Sequence, residues 1–164
     1  MNLQKIESLI PVNVKNTLFV KYFGFTKVPL IFYVNPSVVK LDEQVCEIKI
    51  PLNRRTKNHL NSMYFGVLAT GADLAGGLVA MNEIVSSKKN ISLSFKDFHA
   101  EFLKRAEGDV HFICNQVEEL KKFVQLVSES DERHNFKVLI NAIVPKKGPE
   151  VVATFSLTLS LKRK

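Results

Sequence analysis

Cysteine is scarce in this chain: Cys46 and Cys114 are the only two in 164 residues. Two thiols do not make a disulfide framework, so a reduced, cytoplasmic setting is the expectation. Long runs of like charge are missing as well. The formal net charge is +7, yet the basic residues come in short groups such as Arg54-Arg55, Lys104-Arg105 and Lys162-Arg163-Lys164. None is long enough to act as a basic tail. Zinc-finger spacing and the aromatic motif of ribonucleoprotein domains are both lacking, so a nucleic-acid partner is not expected. The positive excess leaves two readings, solubility or a phosphate-bearing partner. Met1 to Pro11 carries Lys5 and Glu7 and no continuous apolar run, which argues against a signal peptide. Internal repeats and low-complexity segments are absent. What remains is the profile of one domain over 1–164 that buries a sizeable core.

Asn58 to Glu83 is the longest weakly charged stretch, and between Met63 and Met81 its only ionisable groups are Tyr64 and Asp73. Leu, Ala and Met favour helix, and no proline interrupts. Asn61 or Ser62 can cap it. The composition predicts a central helix over 62–83. It is apolar all round, as in a fully buried helix or a membrane span. An Asp near the centre costs about 2.5–3.5 kcal/mol on insertion into a bilayer. Gly66, Gly71, Gly76 and Gly77 do little to offset that, so no membrane span is expected. Helical spacing sets Gly66, Ala69, Thr70, Gly76 and Gly77 on the Asp73 side. Small residues there let another backbone, or a thin substrate, approach the carboxylate. Asp73 is then either a hydrogen-bonded core acid or a carboxylate whose pKa burial raises toward that of a general base.

The flanks read as helix and then sheet. Residues 1–27 form an N-terminal helical segment, apolar at Leu3, Ile6, Leu9 and Ile10 and kinked or split at Pro11. Val28 to Val34 fits a strand or a helix end. Pro36 to Leu41 and Gln44 to Leu52 read as strands, the second with Cys46, Ile48, Ile50 and Leu52 on one face. Asn53 to Asn58 is a polar, basic loop. Ser86 to Asn90 is a loop beyond the helix. Ile91, Leu93 and Phe95 share a face, and Phe98, Ala100 and Phe102 follow in the opposite phase, which predicts a β-bulge or break near Lys96-Asp97. Glu107-Gly108-Asp109 signals a hairpin turn returning through Val110, Phe112 and Cys114. Gln116 to Val127 fits a short helix or an irregular connection. Phe136 to Val144 is a strand, and Lys146 to Pro149 a turn. From Val151 to Lys162 apolar and polar residues alternate, as in an antiparallel strand with one wet face. An antiparallel sheet curled around the central helix buries that helix, which makes the chain α+β. His111 and Cys114 point to opposite faces of a strand, and His99 and His134 stand alone, so no metal site is expected.

His59-Leu60-Asn61-Ser62-Met63-Tyr64, with Asp73-Leu74-Ala75-Gly76-Gly77 farther along, is similar to a largely uncharacterised branch of the hotdog-fold acyl-CoA thioesterases related to the phenylacetate-pathway type. Lys104 to Asp109 resembles the hairpin that follows the helix in those proteins. The resemblance covers Pro36 to the C-terminus. It implies the hotdog fold, an antiparallel β-sheet wrapped around a long central helix, here with the extra N-terminal helical segment. The chain departs from the phenylacetate-pathway type where Asn61-Ser62 replaces Gly-Gly. Ala69 or Thr70 stands near that type's acid, and Asp73 lies about one turn later. The Phe-Pro-Gly setting of hotdog dehydratases is absent.

The resemblance implies hydrolysis of an acyl-CoA thioester, with coenzyme A as part of the substrate and no separate cofactor. In that reading Asp73 is the general base, holding a water together with Thr70. Backbone N–H groups of Ser62 and Met63, at the helix start, polarise the carbonyl. Asn58, His59, Asn61 and Gly66 position the substrate, although His59 equally fits a surface loop. Arg54, Arg55, Lys104 and Arg105 meet the CoA phosphates, or else form a solvated charged surface. The alternative is a hotdog protein that binds an acyl-CoA or fatty acyl group without hydrolysing it, favoured by the missing Gly-Gly and the displaced acid. At about 1.5 Å per residue, Asn61 and Asp73 lie roughly 18 Å apart on one helix. One straight helix cannot bring both to one thioester. A homo-oligomer is therefore expected, a dimer or a dimer of dimers, with two antiparallel helices about a two-fold axis.

Overall fold

The computed structural model describes residues 11–164. Leu3, Ile6, Leu9 and Ile10 of the expected N-terminal segment lie outside them. Pro11 is the N-cap of helix α1, Val12–Thr26, and its carbonyl accepts the Val14 and Lys15 N–H groups. Val28 to Val34 resolves as helix, α2, Pro29–Val34, with its proline in the first turn where no N–H is needed. The order continues β1 (Ser37–Leu41), β2 (Cys46–Ile50), α3 (Phe65–Ser87), β3 (Ile91–Phe102), β4 (Val110–Cys114), α4 (Val117–Ser128), β5 (Arg133–Ile143), a 3-10 turn at Pro145–Lys147 and β6 (Val151–Arg163).

The strands form one sheet in the order β1-β2-β4-β5-β6-β3, antiparallel at each pairing. Helix α3 packs against β2, β4, β5 and β6. This is the hotdog arrangement. The alternating strands turn their apolar sets inward as the period requires: Cys46, Ile48 and Ile50; Val110, Phe112 and Cys114; Phe155, Leu157, Leu159 and Leu161. Cys46 and Cys114 stand opposite each other across β2 and β4 as buried free thiols. Burial pushes both thiols up, which leaves them inert as nucleophiles. Helix α3 is long and apolar enough to cross a membrane by length and composition, and it is the buried core helix of this sheet.

Two α3 glycines set how close helix and sheet come. A Cβ at Gly71 would stand 2.2 Å from a ring carbon of Phe112, and one at Gly76 would stand 2.9 Å from Leu157 Cδ1. The Phe112 ring is fully buried and cannot swing aside. Gly71→Ala gains about 1 kcal/mol of helix propensity but overpacks the core at a cost of about 1–3 kcal/mol. The expected outcome is a lower urea midpoint, measured by circular dichroism; an unchanged or higher midpoint would show that the sheet yields there.

The structure corrects the expected limits of the central helix. It begins at Phe65, not at 62, with Tyr64 as its N-cap. Asn61 sits at φ 57, outside the right-handed helical region, so it caps nothing. At the other end Ser86 and Ser87 are helical, and the helix stops at Lys88 with φ 55. The bulge in β3 is present, as a register shift against β6 between Phe95 and Phe98. The hairpin at 107–109 is not. Strand β3 pairs with β6 at the sheet edge, whereas β4 lies between β2 and β5, so residues 103–109 cross from the edge to the interior. Burial decides this: β4 is buried at alternate residues while most of β3 is open. Ser160, expected on the wet face, is buried, and its hydroxyl accepts from Arg133 Nη1 at 3.1 Å.

Candidate active site

Residues 51–64 lead into α3 as a braced loop. Buried Thr56 donates its hydroxyl to the Pro51 carbonyl at 2.6 Å, and its own carbonyl accepts the Tyr64 N–H at 2.9 Å. Asn58 folds the next turn on itself. Its Oδ1 accepts from Leu60 N–H at 2.9 Å and Ser62 N–H at 3.2 Å, and its Nδ2 donates to Ser62 Oγ at 3.1 Å. The Met63 N–H donates to the Ala106 carbonyl at 2.9 Å, which fastens the loop to the 103–106 segment. The two N–H groups expected to polarise a carbonyl, those of Ser62 and Met63, are therefore already committed. The helix itself starts three residues later, and its first-turn Phe65 and Gly66 N–H groups have no backbone acceptor among the described residues.

Beside this loop lies a cavity of about 590 Å³. Asn58, His59, Ser62, Met63, Lys104 and Arg105 are among its lining residues, along with the exposed rings of Tyr64, Phe65 and Phe102. Lys104 is ion-paired with Glu150. Arg54 and Arg55 do not join this group; the Arg55 guanidinium lies 5.5 Å from the Tyr33 ring centre. Asn61 accepts from Lys57 Nζ at 2.9 Å and does not line the cavity.

Asp73 opens into a different cavity, of about 240 Å³. Its walls are mostly apolar, with Phe19, Val20 and Phe23 from α1, Leu74, Gly77, Leu78 and Met81 from α3, and Leu93 and Phe95 from β3; Ser94 is the other polar residue in the lining. Burial pushes the Asp73 carboxyl up from the usual 3.8 to about 6. No charged partner contributes to that shift; desolvation is its only cause. Thr70, expected to share a water with Asp73, donates to the Gly66 carbonyl at 2.9 Å and does not line this cavity. Within one chain the carboxylate and the helix start remain apart. Eight residues separate Phe65 from Asp73, about 12 Å at 1.5 Å per residue.

Asp73 and the small residues Gly66 and Ala69 form a half-buried stripe on the side of α3 away from the sheet, whereas Gly71 and Gly76 face the sheet. The expected single small-residue side is thus two. β3 runs along the sheet edge with Phe95, Phe98 and Phe102 exposed, although Phe98 and Phe102 pack against buried Phe155 at ring-centre distances of 5.8 and 6.1 Å. Phe98 and Phe102 lie on the face of β3 that meets Phe155.

A family model described as a domain of unknown function (DUF4442) matches residues 16–161. This chain belongs to the DUF4442 family. The match takes in most of α1 and so reaches farther toward the N-terminus than the resemblance that starts at Pro36. A crystal structure of a protein of unknown function from Pseudomonas aeruginosa, described as a probable thioesterase, is similar at 19% identity. That alignment covers 90% of this chain and 96% of that one, with a TM-score of 0.74. A protein of unknown function from Chlorobaculum tepidum aligns at 12% identity over 93% of this chain and 97% of its own, TM-score 0.76. A Haemophilus influenzae thioesterase aligns at 14% identity over 82% of each chain, TM-score 0.62. These likenesses establish the hotdog fold, and they single out no phenylacetate-pathway branch. No curated protein matches the sequence.

In this DUF4442 chain the residues that sequence reasoning missed are those of α1. Phe19, Val20 and Phe23 wall the Asp73 cavity, and Thr17 Oγ1 accepts the Val38 N–H at 2.9 Å to tie α1 to β1. The signal available was the recurrence of apolar residues at 19, 20 and 23, one helical face.

Proposed function

We propose that this DUF4442 protein hydrolyses an acyl-CoA thioester at a site built from two copies of the chain. The observation that carries the proposal is Asp73: a carboxylate raised to about 6 by desolvation alone, at the wall of a cavity whose lining is apolar but for Asp73 itself and Ser94. An acid with no charged partner, beside a space shaped for an aliphatic group, fits a general base poised near neutral pH. The carboxylate takes a proton from water as the water oxygen attacks the thioester carbonyl. The tetrahedral oxyanion is met by the free first-turn N–H groups of Phe65 and Gly66 at a helix N-terminus. The C–S bond breaks as the carbonyl re-forms, and the proton held by Asp73 passes to the departing CoA sulfur, which restores the carboxylate. His59, Lys104 and Arg105 line the loop cavity at the polar end, where phosphates suit them.

The two halves lie about 12 Å apart along α3. A second α3 running antiparallel would set its Asp73 by the first chain's loop. The Gly66–Ala69–Asp73 stripe lets two helices approach, and β3 offers an unpaired edge with exposed aromatic residues beside it. A free-thiol assay across short, long and aromatic acyl-CoAs tests the activity. Thiol release supports it; thermal stabilisation by acyl-CoA without release would replace it with the binding-only alternative.

Gly77 tests the cavity as the acyl pocket. A Cβ there would make ordinary contacts, 3.5 Å to Phe95 Cζ and 3.8 Å to Asp73 Oδ1, so a larger side chain enters the cavity without pressing on the backbone. Gly77→Val should lower kcat/KM for long aliphatic acyl-CoAs relative to short ones by about tenfold or more. An equal loss at every chain length would place the acyl group elsewhere.

A further inference from the structure

No acidic residue stands between Glu7 and Asp42, whereas Lys15, Lys21, Lys27 and Lys40 fall within that span. The same span holds a broad exposed apolar surface. Leu18, Tyr22 and Phe25 occupy positions i, i+4 and i+7 of α1 and share its outer face, with Tyr22 69% and Phe25 68% exposed. The Phe25 ring meets Phe32 of α2 edge-on at 5.4 Å, which joins the exposed aromatics of both helices into one patch. The opposite side of α1 closes the Asp73 cavity. Helix α1 is therefore apolar on both sides, and the fold uses the inner one. A surface helix that only covered a core would be polar outside. A contiguous exposed apolar patch marks an interaction surface.

We propose that α1 and α2 dock on an anionic lipid bilayer. Tyr22, Phe25 and Phe32 enter the headgroup–acyl boundary, and Lys15, Lys21 and Lys27 meet the headgroups. Exposed aromatic and aliphatic residues with lysines, and no carboxylate among them, are the composition of helices that lie in a lipid interface. Tyr, with an apolar ring and a polar tip, belongs at headgroup depth. A second copy fits this face badly, because it would set lysine against lysine with no carboxylate to answer. The surface needs no thioesterase activity, and it lies on the outer side of the helix that walls the cavity.

The chain has no tryptophan, so Phe25→Trp places a single indole reporter at the centre of the patch. The full-length variant is mixed with vesicles of phosphatidylglycerol and phosphatidylcholine in equal parts, and with vesicles of phosphatidylcholine alone. The expected result is a blue-shifted emission and co-sedimentation with the anionic vesicles, both weakened by added salt. In the otherwise native chain, Tyr22→Ser with Phe25→Ser, or the three lysines changed together to Gln, should reduce co-sedimentation by about tenfold or more. These side chains are largely on the surface, and unchanged thermal unfolding shows that the variants are folded. Failure of the folded native chain to bind anionic vesicles overturns the proposal, as does equal binding by the variants. A blue shift that grows with protein concentration in the absence of vesicles would assign the face to a second copy instead.

Discussion

Asp73→Asn is expected to remove most turnover and, at pH 8, to make the protein more stable. Both effects come from one cause. Burial in an apolar cavity, with no cation to compensate, raises the Asp73 carboxyl from 3.8 to about 6. The fold thus favours the neutral acid. The stability this contributes is fully present below the unfolded value near 3.8 and is lost as pH rises through about 6. At pH 8 the native chain holds an ionised carboxylate where it is poorly solvated, at a cost of about 3 kcal/mol. Water entering the cavity lowers that figure. Asn keeps the shape and carries no charge, so Tm at pH 8 should rise by about 5–10 °C, and the gain should vanish below pH 4. Turnover should fall by about a hundred- to ten-thousand-fold, the contribution of a positioned general base. In the native protein, the proposed activity should show a kcat/KM that rises with pH through about 6 and then levels, because the base works only when ionised. A variant that is stabilised yet keeps full turnover would leave Asp73 a buried acid and nothing more.

The chemistry that makes Asp73 informative was visible in the sequence. A single acid in an apolar run that favours helix stands out without any structure, and burial then dictates the direction of its pKa. β6 was equally legible, because a period of two with one wet face is a local property. So was the β3 bulge, where Phe95 and Phe98 fall out of phase. What escaped depended on partners distant in sequence. The start of α3 was misplaced because Asn58 and Thr56 hold residues 56–64 in a loop through side-chain bonds that compete with helix. That the Met63 N–H is already bonded was hidden for a related reason: its acceptor is the Ala106 carbonyl, forty-three residues away. The crossover from β3 to β4 was read as a hairpin because turn residues report local geometry, and not which strand pairs with which. Helix α1 is legible as a helix, but the apolar face at 19, 20 and 23 does not stand out as the inner one, because Leu18, Tyr22 and Phe25 make the outer face apolar too.

Mixing two damaged chains should restore activity that neither has alone, and this is the sharpest test of a shared site. Asp73→Ala removes the base and leaves the loop intact. Asn58→Ala damages the loop, because Asn58 Oδ1 organises the Leu60 and Ser62 N–H groups and its Nδ2 holds Ser62 Oγ. Each variant alone should be nearly inactive. In a two-fold dimer whose sites each take Asp73 from one chain and the loop from the other, a mixed dimer has one site with both parts sound. Random exchange of equal amounts makes half the dimers mixed, so about a quarter of native activity should return. The geometry gives the reason: along a single α3, Asp73 stands about 12 Å from the first-turn N–H groups, and both must reach one carbonyl carbon and its oxygen. The exposed Phe95, Phe98 and Phe102 beside the β3 edge should be covered in the same dimer, so Phe98→Glu should yield monomers by light scattering and lose the activity with them. No recovery despite proven exchange, or a fully active monomer, would mean that each chain works alone. In that event the helix start could not serve as the oxyanion site, and the donors would have to be sought around the Asp73 cavity itself.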